Sequence, residues 1–314
     1  AAEINFQLGA INSISSLVVV LLAPVLGAIA DQGSSRKKFL IFFAFLGSLA
    51  TVNLFLVARG DWKLAALAYI LGAIGFSGAN IFYDALLVGV AAPRQRDWVS
   101  ALGFSLGYLG GGLLFAFNIA MVTYPAFFGL RDAEQAVSLS FLTVGLWWLV
   151  FTVPLALWVE EPDFGTRRFS GIRVVREGFG QIRSTFRETR RLRTVSVFLI
   201  GYWLYIDGVN TIVRMAAAYG LSIGLNQNDI IQALLLTQFV GVPAALLFGR
   251  IGQSIGSRPG ILICIAVYVL ATIGAAFISS GRDFFVLAAT IGLVQGGIQA
   301  LSRSYYARLI PENK

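Results

Sequence analysis

The sequence predicts an all-α protein that crosses a membrane many times. Of its 314 residues, 57% are hydrophobic and only 13% are charged, which is too apolar for an average soluble domain. The apolar residues gather in runs of about 20, the length at which a helix crosses the hydrocarbon core of a bilayer. Basic residues concentrate in alternate connections between these runs. Together these observations predict a polytopic helical membrane protein.

Nine apolar runs of spanning length follow one another between charged or Gly/Pro-rich breaks. We expect them to be helical, because the bilayer core has no water for unpaired backbone groups and the runs are too long for barrel strands. In chain order they cover residues 11–30, 38–58, 63–91, 98–123, 137–158, 195–219, 230–249, 259–279 and 284–309.

The longest polar connection separates the first five runs from the last four. The sequence therefore predicts an N-terminal helical half (1–159), a central cytoplasmic loop (160–194) and a C-terminal helical half (195–314). Apolar residues in the loop recur at spacings of three and four, which predicts an amphipathic helix on the inner membrane surface. A regulatory segment that binds a partner is the alternative. The apolar residues are Ile172, Val175, Phe179, Ile182 and Phe186.

The basic residues predict the orientation of the chain. Eighteen of the 24 Lys and Arg residues fall on one side when alternate connections are compared. Only Arg59, Lys63, Arg131 and Arg282 fall on the other side. By the positive-inside rule the first side is cytoplasmic. The net charge of +8 therefore reflects the orientation of the chain in the membrane, and we expect no nucleic-acid partner.

The residue types that are missing exclude many functions. The sequence has no histidine, which excludes Ser-His-Asp triads, Cys-His pairs and imidazole metal ligands. It shows no other nucleophile beside an activating base and no metal-ligand cluster. The one cysteine, Cys264, lies in an apolar run and is expected to be a packed side chain. We therefore expect neither an enzyme nor a protein with a metal or cofactor.

Two sequence segments of the first half are repeated in the second half. The number of residues between a segment and its repeat is nearly the same for both. The segment SGANIFYDALLVGVAAP (77–93) is similar to QGGIQALSRSYYARLIP (295–311), and GAIADQGSSRKK is similar to GRIGQSIGSRPG. Their offsets, 218 and 222 residues, agree closely. This agreement predicts two homologous halves of parallel topology. The second pair places Gly27, Asp31 and Arg36 in register with Gly249, Gln253 and Arg258.

This loop motif has a physical rationale. Asp31 at the end of a helix opposes the helix dipole, so it needs a partner such as Arg36, while Gly27 allows a neighbouring helix to approach. We interpret both copies as loops that support a gate. Ordinary cytoplasmic charge is the alternative interpretation.

Three runs carry polar and ionisable side chains along one helical face. Such residues are costly inside a bilayer and commonly mark a solute or proton pathway. Spacings of three, four, seven and eight residues place each set on a single face. The stripes are Ser77, Asn80 and Asp84 in the third run, Asp207, Asn210 and Arg214 in the sixth, and Gln295, Gln299 and Arg303, beside Ser302, in the ninth.

The ionisable members suggest how a solute is bound. Asp84, Asp207 and Arg303 lie about 12 to 16 Å from the helix ends, near the middle of the bilayer. A low dielectric favours a protonated carboxyl group, as proton coupling requires, and the planar guanidinium of Arg303 fits a carboxylate. A zwitterion would satisfy both groups. Arg214 lies closer to the outer end and is the weakest candidate. The alternative is structural, with Asp84 or Asp207 paired to Arg303 to lock two helices.

Two series of small residues predict close packing between helices rather than a phosphate site. Neither has the strand, lysine and spacing of a nucleotide-binding loop. The series are Gly103, Gly107 and Gly111, and Gly292, Gly296 and Ala300.

These motifs resemble a known family. The GxxxD…R loop with its second copy resembles the signature of the major facilitator superfamily. The segments FYDALL, LGYLGGGLL, LYIDGVNTI and GGIQALSRS resemble its vacuole-effluxer-like branch, which includes a fungal autophagy-related vacuolar amino-acid effluxer and many bacterial proteins. This chain departs from the branch at Asp84, where Asn is expected, and at Arg214, where the family is usually uncharged.

The resemblance implies twelve spans in two six-helix halves. The nine runs would be spans two to ten, so that the chain is a fragment that does not transport alone. The third, sixth and ninth runs would line a central cavity. With the stripes, this favours a secondary active transporter for an amino acid or similar zwitterion, by alternating access and coupled to protons. We expect a monomer in contact with lipid, in a bacterial inner membrane or a vacuolar membrane. A lipid-handling or scaffold protein with structural ion pairs is the alternative.

Overall fold

The computed structural model describes residues 2–31, 36–58, 60–160 and 193–309. Within those ranges the chain is helical and contains no β-strand. A short 3-10 helix, Pro125–Phe128, follows the fourth long helix. The long helices are α1 (Ala2–Asp31), α2 (Arg36–Phe55), α3 (Trp62–Val90), α4 (Arg96–Thr123), α5 (Ala133–Trp158), α6 (Arg193–Ser222), α7 (Gln227–Ile255), α8 (Ser257–Ala275) and α9 (Gly281–Leu309).

The helices match the predicted spans in number and order. Among the described residues, the eight helices α2 to α9 are long and apolar enough to cross a membrane, and α1 contains a shorter apolar stretch at Ser13–Gly27. Each of the nine predicted runs falls on one of these helices. The prediction of an all-α polytopic membrane protein is confirmed.

Each long helix begins before its predicted apolar run, and polar side chains cap the early starts of α5 and α7. Asp132 precedes α5, and its side chain accepts a hydrogen bond from the backbone N–H of Gln135 at 2.8 Å. Asn226 precedes α7 and accepts a hydrogen bond from the N–H of Asn228 at 3.1 Å. These side chains satisfy backbone donors that the first helical turn leaves unpaired.

Contacts between residues divide the chain into two compact units. The first unit comprises Ala1–Val90 and Phe117–Glu188, and the second comprises Ala91–Ala116 and Thr189–Lys314. The division falls inside α4, so the first part of this helix belongs with the helices that follow the central connection. The predicted halves were divided at the central connection instead, and that division stays a prediction.

The predicted central loop lies almost wholly outside the described residues. Of residues 160–194, only Glu160 and 193–194 fall within them. The predicted amphipathic helix at residues 172–186 is therefore not part of the described structure.

The first unit is organised around α2. This helix packs against α3 on one face and α5 on another. Gly75 of α3 lies directly against the backbone of Gly47 in α2, and the Trp148 ring of α5 lies against the same glycine. Phe82 of α3 stacks on Phe43 of α2 with ring centroids 6.0 Å apart. Small residues and rings therefore bring these helices into close contact.

The second unit is organised around α9, which packs against α7 and α8. A Cβ added to Gly292 would meet the carbonyl oxygen of Thr237 in α7 at 2.9 Å, and one added to Gly296 would meet the Tyr108 ring of α4 at 2.8 Å. Ala300 is completely buried. The small-residue face of α9 is therefore a close-packing face, as predicted.

The small residues of α4 behave differently. A Cβ added to Gly107 or Gly111 would meet no atom within 4 Å. In the described structure these two glycines therefore do not mark a close contact.

Candidate functional site

Among the described residues of the second unit, the most completely buried charged group is the carboxylate of Asp97, in the first turn of α4. Its side chain has no exposed surface. The hydroxyls of Ser257 and Ser304 donate hydrogen bonds to Oδ1, at 2.9 and 2.5 Å. The guanidinium of Arg308 forms an ion pair with Oδ2. One carboxylate thus joins the starts of α4 and α8 to the end of α9. We call these four residues the Asp97 network.

Glycines allow this carboxylate to be enclosed. A Cβ added to Gly252 of α7 would meet the Asp97 Cγ at 3.2 Å, so a larger residue would push the carboxylate away. Gly256 has a φ of 94°, a conformation that glycine adopts without steric penalty. It is also the one residue between α7 and α8, and the tight turn there places Ser257, the first residue of α8, next to Asp97.

Further polar contacts continue from the Asp97 network along α4. The Arg96 side chain is 4% exposed and donates through Nη1 to the carbonyl oxygen of Ala307 at 2.9 Å. One turn later, the buried Ser100 hydroxyl donates to the carbonyl oxygen of Ala300 at 2.8 Å. The start of α4 is therefore fastened to the last three turns of α9 through buried hydrogen bonds.

Arg303 takes part in the same contact. Its Nε donates to the Ser100 hydroxyl at 2.9 Å, and its Nη2 donates to the Ser100 carbonyl at 3.1 Å. The guanidinium carbon also lies 4.8 Å from the centroid of the Phe104 ring, within the range of a cation–π interaction. The predicted solute-binding arginine is thus held in a defined orientation against α4.

The other predicted polar residues of α9 and α6 differ in their surroundings. Gln295 and Gln299 are half-buried on α9, whereas Asp207, Asn210 and Arg214 are exposed on α6. Asp207 makes no hydrogen bond or ion pair with the described residues, so it does not form the predicted alternative lock with Arg303.

α6 is fastened to its neighbours at separate points. The Tyr205 and Ser302 hydroxyls share a hydrogen bond of 2.7 Å between α6 and α9. Near the C-terminal end of α6, the Tyr219 hydroxyl donates to the carbonyl oxygen of Ala275 in α8. Only three residues of α6 are buried, namely Val195, Val209 and Gly220. The helix that carries Asp207 is therefore lightly packed within its unit.

The predicted polar stripe of the first unit lies on α3, and Arg36 begins α2. Asp84 is exposed on α3, while Ser77 and Asn80 are half-buried. Arg36 donates through Nη1 to the carbonyl oxygen of Ala85 at 3.1 Å, which fastens the start of α2 to α3. The predicted loop motif therefore includes a residue that ties two helices.

The remaining members of the loop motif are arranged differently in its two copies. The side chain of Asp31 lies outside the described residues, and a Cβ added to Gly27 would meet no atom within 4 Å. In the second copy, a Cβ added to Gly249 would meet the Ala101 Cβ of α4 at 2.5 Å. Gln253 and Arg258 are exposed. Only the second glycine therefore marks a close helix contact.

Asp97 was not among the residues predicted from the sequence. It stands in the segment RQRDWVS, where its neighbours Arg94 and Arg96 were counted as cytoplasmic loop charges. Asp97 could have been noticed as a carboxylate in the first turn of a helix, where the helix dipole favours negative charge. Among the described residues, no group of three His, Cys, Asp or Glu side chains is arranged to hold a metal ion.

The chain is similar to a family of transport proteins. A sequence model of the family described as Vacuole effluxer Atg22 like matches residues 8–95 and 91–314. The uncharacterized MFS-type transporter YxiO of Bacillus subtilis (strain 168) is 35% identical over 313 residues, which cover 99% of this chain and 72% of the bacterial protein. The names of the family and of this relative are those of transporters rather than enzymes.

Fungal proteins are more distant relatives. Autophagy-related protein 22 of Coccidioides immitis (strain RS) is 25% identical, and the match covers 95% of this chain and 61% of the fungal protein. Autophagy-related protein 22-1 of Penicillium rubens is 24% identical, with 99% of this chain and 66% of the relative covered. The chain spans less than two thirds of the length of these two fungal relatives.

Proposed function

The chain belongs to the Atg22-like vacuole effluxer family of the major facilitator superfamily, and from that premise we propose that it is a secondary active transporter. Its solute is a small zwitterion such as an amino acid, and transport proceeds by alternating access with coupling to protons. The proposed location is a bacterial inner membrane, or a vacuolar membrane in a fungal cell. The observation that carries the proposal is the buried polar contact between α4 and α9.

Alternating access requires a contact that forms in one state and breaks in the other. α4 precedes the central connection of the chain and α9 follows it, so their contact joins the two predicted halves. The last turns of α9 are held to α4 by hydrogen bonds and one ion pair, and water can replace the partners of these groups when the helices separate. The Asp97 network is therefore suited to a gate that opens to the cytoplasm.

Arg303 connects this gate to a solute. It donates to Ser100, which lies one helical turn from Asp97 on α4. A solute carboxylate that binds the guanidinium competes with Ser100 for the same donors. Binding at Arg303 thereby weakens the attachment of α4 to α9. Asp207 on α6 is exposed and has no partner among the described residues, so it is available for a proton or for the amino group of the solute.

Uptake into proteoliposomes tests transport and proton coupling. Proteoliposomes that contain the protein at the length of its bacterial relative, of which this chain matches 72%, are supplied with labelled amino acids, organic acids or sugars, with and without a pH gradient. We expect gradient-dependent uptake of an amino acid, which Asp207→Asn abolishes. Asp61→Asn, at an exposed carboxylate outside the helices, is the control and should transport normally. Absence of uptake for every solute under either condition would favour a lipid-handling or scaffold protein.

Ligand-induced stabilisation tests the role of Arg303 separately. Melting temperatures are measured in detergent with and without the transported solute. Arg303→Ala should lose the shift that the solute produces. Ser100→Ala removes two hydrogen bonds of the same contact but keeps the guanidinium, so it should keep that shift. Equal loss in both variants would show that the contact is structural and that the solute binds elsewhere.

A further inference from the structure

The second unit contains a cavity on the side of α6 that faces away from Asp207. The cavity has a volume of about 290 Å³ and lies among α6, α8 and α9. Its wall includes Tyr205, Gly208 and Ile212 of α6, Val269 and Ile273 of α8, and Ile298 of α9.

The wall offers no accessible, unpaired polar group to a polar solute. The Tyr205 hydroxyl is bonded to Ser302 at 2.7 Å, and the Thr272 hydroxyl donates to the carbonyl oxygen of Tyr268 at 2.8 Å. The Tyr268 hydroxyl has no hydrogen-bond partner among the described residues, but it is buried and has almost no accessible surface, so a solute in the cavity does not reach it. A polar solute placed here would leave its own hydrogen-bonding groups unsatisfied, at a substantial free-energy cost.

The cavity is separate from the proposed solute pathway. With 100° between successive residues, Tyr205, Gly208 and Ile212 lie on the face of α6 opposite Asp207 and Asn210. An occupant of the cavity therefore contacts the back of the helix that carries Asp207.

The cavity lies at hydrocarbon depth and opens to the side. Ile298 is eleven residues before the end of α9, or about 16 Å along the helix axis. Val269 and Ile273 on its rim are 53% and 55% exposed. At this depth the surroundings of an integral membrane protein are lipid acyl chains rather than water.

We propose that this cavity binds one acyl chain of a membrane lipid. An acyl chain matches the apolar wall, gains dispersion contacts with it and has no polar group to satisfy. It also fills space beside α6, the helix that few buried residues hold in place. The bound chain thus supports the helix that carries Asp207, from the side opposite that carboxylate.

Photo-crosslinking in the membrane tests the site. The protein is reconstituted with a phospholipid that carries a diazirine near the middle of one acyl chain, irradiated, and mapped by mass spectrometry. The test variant is Gly208→Leu. A Cβ at Gly208 meets no atom within 4 Å, so leucine enters the cavity without a clash at its first carbon.

The matched control is Gly201→Leu. Gly201 lies seven residues earlier on the same face of α6, also has open space around an added Cβ, and is outside the cavity wall. We expect adducts on the cavity segments of α6 and α8 in the parent protein and in Gly201→Leu, and their loss in Gly208→Leu.

Two outcomes would overturn the proposal. Adducts that persist unchanged in Gly208→Leu would place the lipid outside the cavity. The absence of adducts from the cavity segments of the parent protein would mean that something else fills it, such as another segment of a protein as long as the relatives. Circular dichroism spectra of both variants establish that a lost adduct does not reflect loss of helical structure.

Discussion

The central helices of the two units, α2 and α9, are held by different kinds of contact. α2 meets its neighbours mainly through glycines and rings, as where Gly75 lies on Gly47 and Phe82 stacks on Phe43. α9 also packs through glycines, but its last turns are tied to α4 by hydrogen bonds and an ion pair. In the most apolar 18-residue segment of each helix, 56% of the residues of α9 and 33% of the residues of α2 are buried.

The difference indicates where the molecule can change shape. Close contacts between glycine and backbone are lost steeply with distance and have no alternative partner. Hydrogen-bonded contacts can exchange their partners for water when the helices part. We therefore expect the α2 contacts to persist through the transport cycle, and the contact between α4 and α9 to break and reform.

Among the substitutions that test this difference, the largest loss of stability is expected at Asp97. Asp97→Ala leaves Arg308 and Ser257 without their acceptor, and breaking a buried ion pair costs about 3 to 5 kcal/mol. We expect the lower end of that range, since the Arg308 side chain is 32% exposed. The loss of stability is measured by thermal melting in detergent, with Asp61→Ala as the control. Equal melting temperatures for the two variants would show that the ion pair does not hold the helices together.

The apolar contact of α2 should break when a single carbon atom is added. Gly75→Ala places a Cβ against the backbone of Gly47 and 2.8 Å from the Phe43 carbonyl oxygen, and backbone atoms cannot rotate away. Overpacking of this kind costs about 1 to 3 kcal/mol.

The control for this substitution is Gly72→Ala, one turn earlier on α3. There the nearest atom, the Thr51 hydroxyl oxygen, is 3.8 Å from the added Cβ. Alanine is the better helix former by up to about 1 kcal/mol, so this variant should melt at the same temperature or higher. Parallel shifts of both variants would contradict the close contact at Gly75.

Two serine substitutions separate the charged hydrogen bonds of the contact from neutral ones. Ser100→Ala removes the acceptor of Arg303 Nε and the tie to Ala300, and hydrogen bonds to charged groups contribute about 1.5 to 3 kcal/mol. Ser105→Ala removes one neutral bond to the carbonyl oxygen of Val242, with an expected loss of about 1 kcal/mol. Denaturant titration in mixed micelles compares the two variants. A larger loss for Ser105→Ala would contradict the assigned role of Arg303.

The smallest loss of stability is expected at the hydrogen bond between Tyr205 of α6 and Ser302 of α9. Tyr205→Phe loses one interhelical hydrogen bond, for which about 0.6 kcal/mol is typical within membranes. Ser302 keeps its bond to the carbonyl oxygen of Ile298, so the substitution leaves no buried hydroxyl unpaired. Tyr124→Phe, at a residue that is 65% exposed, is the control for the melting measurement. A loss as large as that of Asp97→Ala would mean that α6 depends on this one bond.

The helices could be predicted from the sequence because the bilayer leaves little choice of structure. Any apolar run of spanning length must satisfy its own backbone, so the number and order of the helices follow from composition. The helix ends depend on single caps such as Asp132 and Asn226, which hydropathy does not detect. These polar residues were assigned to connections in the sequence, although they begin helices.

The candidate site was less predictable, because periodicity gives the face of a helix but not what that face contacts. The spacing placed Arg303 on a polar stripe, yet its Ser100 partner lies 203 residues away in the chain. Asp97 looked like a loop charge, and its partners Ser257, Ser304 and Arg308 are 160 to 211 residues distant. Contacts over such separations depend on packing, which a local pattern does not encode.

The Asp97 network also imposes an order on the assembly of the protein. Ribosomes add about 5 to 20 residues per second, so Arg308, 211 residues after Asp97, is synthesised about 10 to 40 seconds later. Throughout that interval the carboxylate has no cation to pair with from α9, and water at the membrane surface must solvate it. The start of α4 therefore settles into its final position only after the last turn of α9 has left the ribosome.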